Sequence, residues 1–216
     1  MISIKNLRSL FHVFLLLGLL LLMGCFEYDE KIVMNVDGSG NLYIHYQAEQ
    51  DMKFETLYFP TDVYDIEYNI KNNYVVDGVT NTASEVLQKE DQTHVYMDYH
   101  FKSLAALGSS PRFKNEQFSY SVKNHLVTLQ RFLYLDESKI DRTKLFFKTG
   151  IKSFFNKEIL QEIHFRFQWV VPGEIVDTNA TILMDKNHAI WIMTLAEILK
   201  NRSNQFFVTY REKTAG

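Results

Sequence analysis

Apolar and polar residues alternate along much of this chain, and the period of two predicts half-buried strands. Ile32, Met34 and Val36 alternate with Lys31 and Asn35; after Asp37-Gly38-Ser39-Gly40, Leu42, Ile44 and Tyr46 alternate again. Two such runs around Asp-Gly predict a β-hairpin whose turn uses the positive φ open to glycine. Over 93–101, Val95, Met97, Tyr99 and Phe101 share one strand face, opposite His94, Tyr96, Asp98 and His100. Phe118, Tyr120 and Val122, an Asn124-His125 turn and the return from Leu126 to Leu135 predict a second hairpin. Ile163, Phe165, Phe167, Trp169 and Val171 mark the clearest strand, broken by Pro172-Gly173. A third hairpin is predicted over 181–193 around Lys186-Asn187, with Trp191 central, and a last strand carries Phe206, Val208 and Tyr210. The stretch from Thr80 to Gln88 gives a weaker strand signal.

Helical spacing punctuates these hairpins. After Pro60, Thr61 or Asp62 can cap a helix bearing Val63, Ile66 and Ile70. Ser103 to Leu107 predicts a short turn stopped by Gly108, and Thr194-Leu195-Ala196-Glu197 is a capping box before Ile198 and Leu199. Asp136 or Ser138 opens a longer helix, to about Asn156, with Ile140, Phe147, Ile151 and Phe154 at helical spacing and Lys144, Lys148 and Lys152 in a separate row. Hairpins interrupted by helices, without alternating βαβ units, predict an α+β fold: an antiparallel sheet built from hairpins with three to four helices packed on it.

The N-terminus has a different character. Lys5 and Arg8 precede an apolar run from Leu10 to Met23, and no acidic residue occurs before Glu27. Such a segment has the layout of a secretory signal, too short and wrongly flanked for a membrane span. It ends at Leu22-Met23-Gly24-Cys25, which holds the sole cysteine and resembles the bacterial lipobox. The resemblance implies cleavage after Gly24 and acylation of the Cys25 thiol. Residues 1–24 are then a signal peptide, 25–30 a lipidated N-terminus with a short acidic leader, and 31–216 one ectodomain. Phe26, rather than aspartate, follows the cysteine, which points to the outer membrane where a host has two. Loss of Lys5 and Arg8 takes the net charge from −3 to −5, giving no electrostatic reason to bind nucleic acid. No disulfide can form beyond Cys25, so stability falls to apolar burial, for which 17 Phe and 12 Tyr supply the area.

Candidate chemistry is sparse. Asp37-Gly38-Ser39-Gly40 lacks the first glycine of a nucleophile elbow and sits in a hairpin, and an EF-hand loop from Asn35 would need glutamate where Tyr46 stands. Asp98 and His100, neighbours on one strand face, could ligate a metal or move a proton, but no third ligand is marked by spacing. No cofactor or metal is expected. The helix near Lys144 has two readings: a core-packed helix with a solvated lysine edge, or an interfacial helix touching membrane or ligand through Lys144, Phe147, Lys148, Ile151 and Phe154.

The region after Cys25 resembles the LppM-type domain of bacterial lipoproteins. The matching features are Asp37-Gly38-Ser39-Gly40, Phe101-Lys102-Ser103-Leu104, and Val171-Pro172-Gly173 with Asn179 and Trp191 downstream. That family brings no catalytic residues to carry over. The expected function is a non-enzymatic envelope lipoprotein, tied to membrane through acylated Cys25 and binding a lipid, another apolar ligand or an envelope protein. The alternative is an envelope hydrolase whose site, drawn from Ser39, Ser103 and the histidines and aspartates, assembles only in space.

Overall fold

The computed structural model describes residues 26–49, 68, 70–89, 92–134, 161, 163–201 and 203–212. Among these, strands dominate. The elements are β1 (Glu27–Met34), β2 (Gly40–Glu49), β3 (Val79–Lys89), β4 (Gln92–Phe101), α1 (Leu104–Gly108), β5 (Glu116–Lys123), β6 (Leu126–Tyr134), β7 (His164–Val170), β8 (Glu174–Thr178), β9 (Ile182–Asp185), β10 (His188–Thr194), α2 (Leu195–Lys200) and β11 (Ser203–Arg211). A π-turn at Ile70–Tyr74 and a 3-10 turn at Pro111–Phe113 complete them.

The strands form two sheets. The larger has seven strands in the order β3-β4-β2-β1-β7-β10-β9, and the smaller has four in the order β5-β6-β11-β8. This overturns the expected α+β fold with three to four helices packed on one sheet. The apolar face of the large sheet meets the apolar face of a second sheet, and the described α-helices span only five and six residues. Local periodicity shows that a face is apolar but not what covers it. Here β5, β6 and β11 bring aromatic and branched side chains of their own to the interface. The sheet is also not purely antiparallel, since β1 pairs in parallel with β7, Glu27 beside His164 through Val33 beside Val170. The predicted helices after Pro60 and over 138–156 lie largely or wholly outside the described residues.

Several local expectations hold. β1 and β2 form the first hairpin, with Gly38 at φ +82. Gly40 is required for a second reason: an added Cβ would lie 2.3 Å from the Val33 carbonyl oxygen and 2.5 Å from the Phe101 ring. The β5–β6 hairpin turns through Asn124 and His125, both at positive φ, as its two-residue loop demands. Ser103 caps α1 by accepting from the Ala106 N–H, and the Thr194–Glu197 capping box opens α2.

β1 begins at Glu27, so most of the expected acidic leader is strand. Tyr28, Glu30, Ile32 and Met34 all face inward, and Glu30 is therefore a carboxylate in the core. On β6 the inward row is Val127, Leu129 and Arg131. Arg131 meets Glu30 with two of its nitrogens and Glu116 of β5 with a third, and each of these side chains is only 1% exposed. Arg112 donates to the other oxygen of Glu116 at 3.1 Å, and the Tyr28 hydroxyl donates to Glu30 at 2.7 Å. Two guanidinium groups thus balance two carboxylates. The Arg131 guanidinium carbon also lies 5.0 Å from the Phe167 ring centre and 5.4 Å from that of Phe118. Burial acts to lower the Arg131 pKa, but Glu116 and Glu30 outweigh it and hold it above the ordinary value. Burial, reinforced by the Glu30 charge, likewise pushes the Tyr28 hydroxyl well up, so it stays a donor.

Removing one member should cost far more than removing a balanced pair. Arg131→Met leaves Glu30 and Glu116 sharing one cation, and denaturant unfolding should show a loss of about 3–5 kcal/mol. Adding Glu30→Leu leaves the neutral Arg112–Glu116 pair and should recover most of that loss. A single variant as stable as the parent would show the network to be dispensable.

Candidate functional site

The inner faces of the sheets are occupied by packing, so candidate chemistry lies on the outer face of the seven-stranded sheet and at the end of β1 nearest Cys25. Because successive side chains alternate, the residues of β1, β2, β4 and β7 between the core positions form polar rows. Across β1 and β7, Gln168 donates to Asp29 at 2.6 Å and Arg166 lies 3.4 Å from the same carboxylate. The Gln168 carbonyl oxygen faces His188 Nε2 at 2.9 Å, so that nitrogen carries the imidazole proton. On β2 and β4, His45 stacks on its cross-strand partner Tyr96, ring centres 4.3 Å apart and planes 6° apart. His45 Nε2 lies 3.5 Å from His94 Nδ1.

The environment disfavours charge on two of these imidazoles. Burial first, and then the neighbouring His94, lower the His45 pKa, with Asp29 and Glu27 opposing. Burial and Lys31 lower that of His188.

The sequence-derived site residues fare differently. Asp98 and His100 do share the outer face of β4, as expected. His100 Nδ1 contacts the Asn41 side-chain oxygen at 3.3 Å, and burial raises the Asp98 pKa. Among the described residues, no three His, Cys, Asp or Glu side chains converge as metal ligands. Ser39 donates its hydroxyl proton to Asp37 at 2.6 Å, and the Ser103 hydroxyl serves as the cap of α1. Neither is bonded to a histidine in these contacts. Gly24, Cys25, Lys144, Phe147, Lys148, Ile151 and Phe154 lie outside the described residues.

The β1 end is well defined. Phe26, the residue after Cys25, is 0% exposed and packs against Phe165 and Tyr46 with ring centres 5.9 and 6.3 Å away. The His164 N–H donates to the Phe26 carbonyl at 3.3 Å, so the chain entering β7 arrives beside this residue. Sequence reading missed this anchorage, and also the buried Arg131 network and the His45–His94 pair. Extending the β1 period back through Glu30 and Tyr28 to Phe26 would have turned Phe26 and Glu30 inward, and the β6 period does the same for Arg131. The meeting of His45 with His94 depends on the pairing of β2 with β4, which no local period encodes.

No protein-family model matches the chain, and no curated protein matches it. Among solved structures, it is similar to the folded domain of LppM from Mycobacterium tuberculosis, determined by NMR. The TM-score is 0.44 and the identity 12%, over 88% of this chain and 92% of that one. No residue role follows from that likeness.

The lowered imidazole pKa values fix the sign of one pH effect. The unfolded chain takes up these protons at a higher pH than the folded chain, so stability falls as pH drops through the ordinary histidine range, about 6.5, toward the folded values. Urea midpoints should be lower at pH 5.5 than at pH 7.5, and the combined His45→Gln and His188→Gln variant should show a smaller drop. An equal drop in that variant would contradict the assignment.

Proposed function

We propose that this protein is a lipid-anchored component of the bacterial cell envelope, acylated at Cys25, whose non-enzymatic role is to hold its two-sheet domain flush against a bilayer and bind there. The observation that carries this reading is the complete burial of Phe26 next to the acylation position. With no slack between lipid and core, an acyl chain on Cys25 would fix the β1 end of the domain at the headgroup level. The ligand that suits this geometry is the membrane surface itself or a lipid within it. Where the host has two membranes, Phe26 after the cysteine favours the outer one.

The stretch between Tyr134 and Ile163 supports the same reading. It contains Lys144, Phe147, Lys148, Ile151 and Phe154, a basic and aromatic composition suited to an anionic surface, and it leads into β7, whose His164 N–H donates to the Phe26 carbonyl. Each lysine near an anionic surface would add about 1 kcal/mol, a contribution that salt removes.

Two measurements test the proposal. Cys25→Ser should abolish labelling by a fatty-acid probe and leave an unprocessed or mislocalised precursor that keeps residues 1–24; unchanged labelling and normal partitioning into detergent would refute the lipobox reading. In the full chain carrying Cys25→Ser, adding Lys144→Glu and Lys148→Glu should weaken binding to anionic vesicles, leave binding to neutral ones alone, and keep the melting temperature. Equal binding to both vesicle types by parent and variant would refute the electrostatic contribution.

A further inference from the structure

The His45–His94 pair sets two ring nitrogens face to face across β2 and β4. Its ring planes are 6° apart and its ring centres 5.8 Å apart, while His45 Nε2 and His94 Nδ1 are separated by 3.5 Å. The two lengths differ by the sum of the ring radii, so the nitrogens lie on the line joining the ring centres, each in-plane lone-pair axis aimed at the other. At 3.5 Å the contact is long for a hydrogen bond. Tyr96, stacked flat on His45, fixes the ring plane.

We propose that His45 and His94 form a two-coordinate site for a univalent d10 cation, Cu(I) or Ag(I), held linearly between His45 Nε2 and His94 Nδ1. Closed-shell cations of this kind accept two opposed nitrogen donors without further ligands, and imidazole is an established ligand for copper. With metal–imidazole bonds of about 2 Å, a linear arrangement spans about 4 Å, reached by small rotations of the two side chains. A tetrahedral zinc site needs donors set at an angle and four ligands, whereas no three His, Cys, Asp or Glu side chains converge among the described residues. Asp29 and Glu27 on β1 place negative charge near His45, with Lys89 on β3 opposing. If one facing nitrogen carries a proton beforehand, that proton moves to the other nitrogen of the same ring, so binding releases no net proton from two neutral imidazoles.

The test uses the full chain in detergent, with Cys25→Ser in every sample so that no thiol competes. Ag(I) is titrated while the histidine ring signals are followed by NMR, and Cu(I) is then used under anaerobic, reducing conditions. The His45 and His94 signals should move together to a one-to-one endpoint, and Zn(II) should leave them unmoved. His45→Phe preserves the stack on Tyr96 but removes the nitrogen, and His94→Gln removes the other donor. Loss of an outer partner of a metal site already weakens binding by about tenfold or more, so each ligand variant should lose at least that much at an unchanged melting temperature. Ag(I) binding of equal strength in parent and both variants, or Zn(II) binding at the pair as tightly as Ag(I), overturns the proposal.

Discussion

The two sheets are pinned to one another by a single guanidinium. Contact between apolar faces is non-directional and would tolerate sliding of one sheet over the other. Arg131 removes that freedom, because its nitrogens must meet Glu30 on the large sheet and Glu116 on the small one at the same time. Desolvating three charges is costly, and buried ion networks often gain no stability over an apolar core of equal volume. What this network contributes is a penalty on every arrangement in which one of these charges lacks its partner. The aromatic rings around Arg131 reinforce this. Phe118 and Phe206 are its direct cross-strand neighbours, and Phe167 approaches from the opposite sheet.

Much of the local structure was legible because it depends on neighbours in sequence. The β4 alternation, the Asn124-His125 turn and the Thr194 capping box need only a few consecutive residues to declare themselves. The architecture was not legible in that way. Pairing of β1 with β7 joins residues far apart in the chain, and no local period encodes it. The cover over the large sheet was misassigned to helices because an apolar face looks the same beneath a helix or a second sheet. The ion network was hidden by one boundary. Reading residues 25–30 as a leader left Glu30 outside the strand, whereas extending the period of Ile32 and Met34 backwards places it inside. Arg131 carried the same signal, a cation in register with Val127 and Leu129.

Candidate chemistry concentrates where the core does not reach. The inner rows of β1, β2 and β4 are committed to packing, which leaves the outer rows free to vary in chemistry on a rigid frame. Asp29 shows how closely the two are linked. It is flanked in β1 by the core residues Tyr28 and Glu30, yet on the outer face it accepts from Gln168 of β7. The histidines of β2 and β4 inherit the same rigidity, since backbone register holds His45 opposite Tyr96 and His94 opposite Gln47. A metal pair on such a scaffold requires only side-chain rotation, without backbone movement.

Register also relates the outer-face pair to the anchor. β1 is the central strand of the seven, and its first residue, Glu27, lies opposite Gln47 and His164. His45 lies opposite Asp29, so at a rise of about 3.4 Å per residue it stands little more than 10 Å along the strand from residue 26. With Cys25 acylated as proposed, the His45–His94 pair would sit just above the headgroups, on the face of the sheet away from the core. Anionic lipid would then add its negative potential to that of Asp29 and Glu27 and draw small cations toward the pair. Anchorage and cation binding, both as proposed, would thereby be coupled through one strand. In that arrangement the burial of Phe26 would also set the height of the imidazole pair above the membrane.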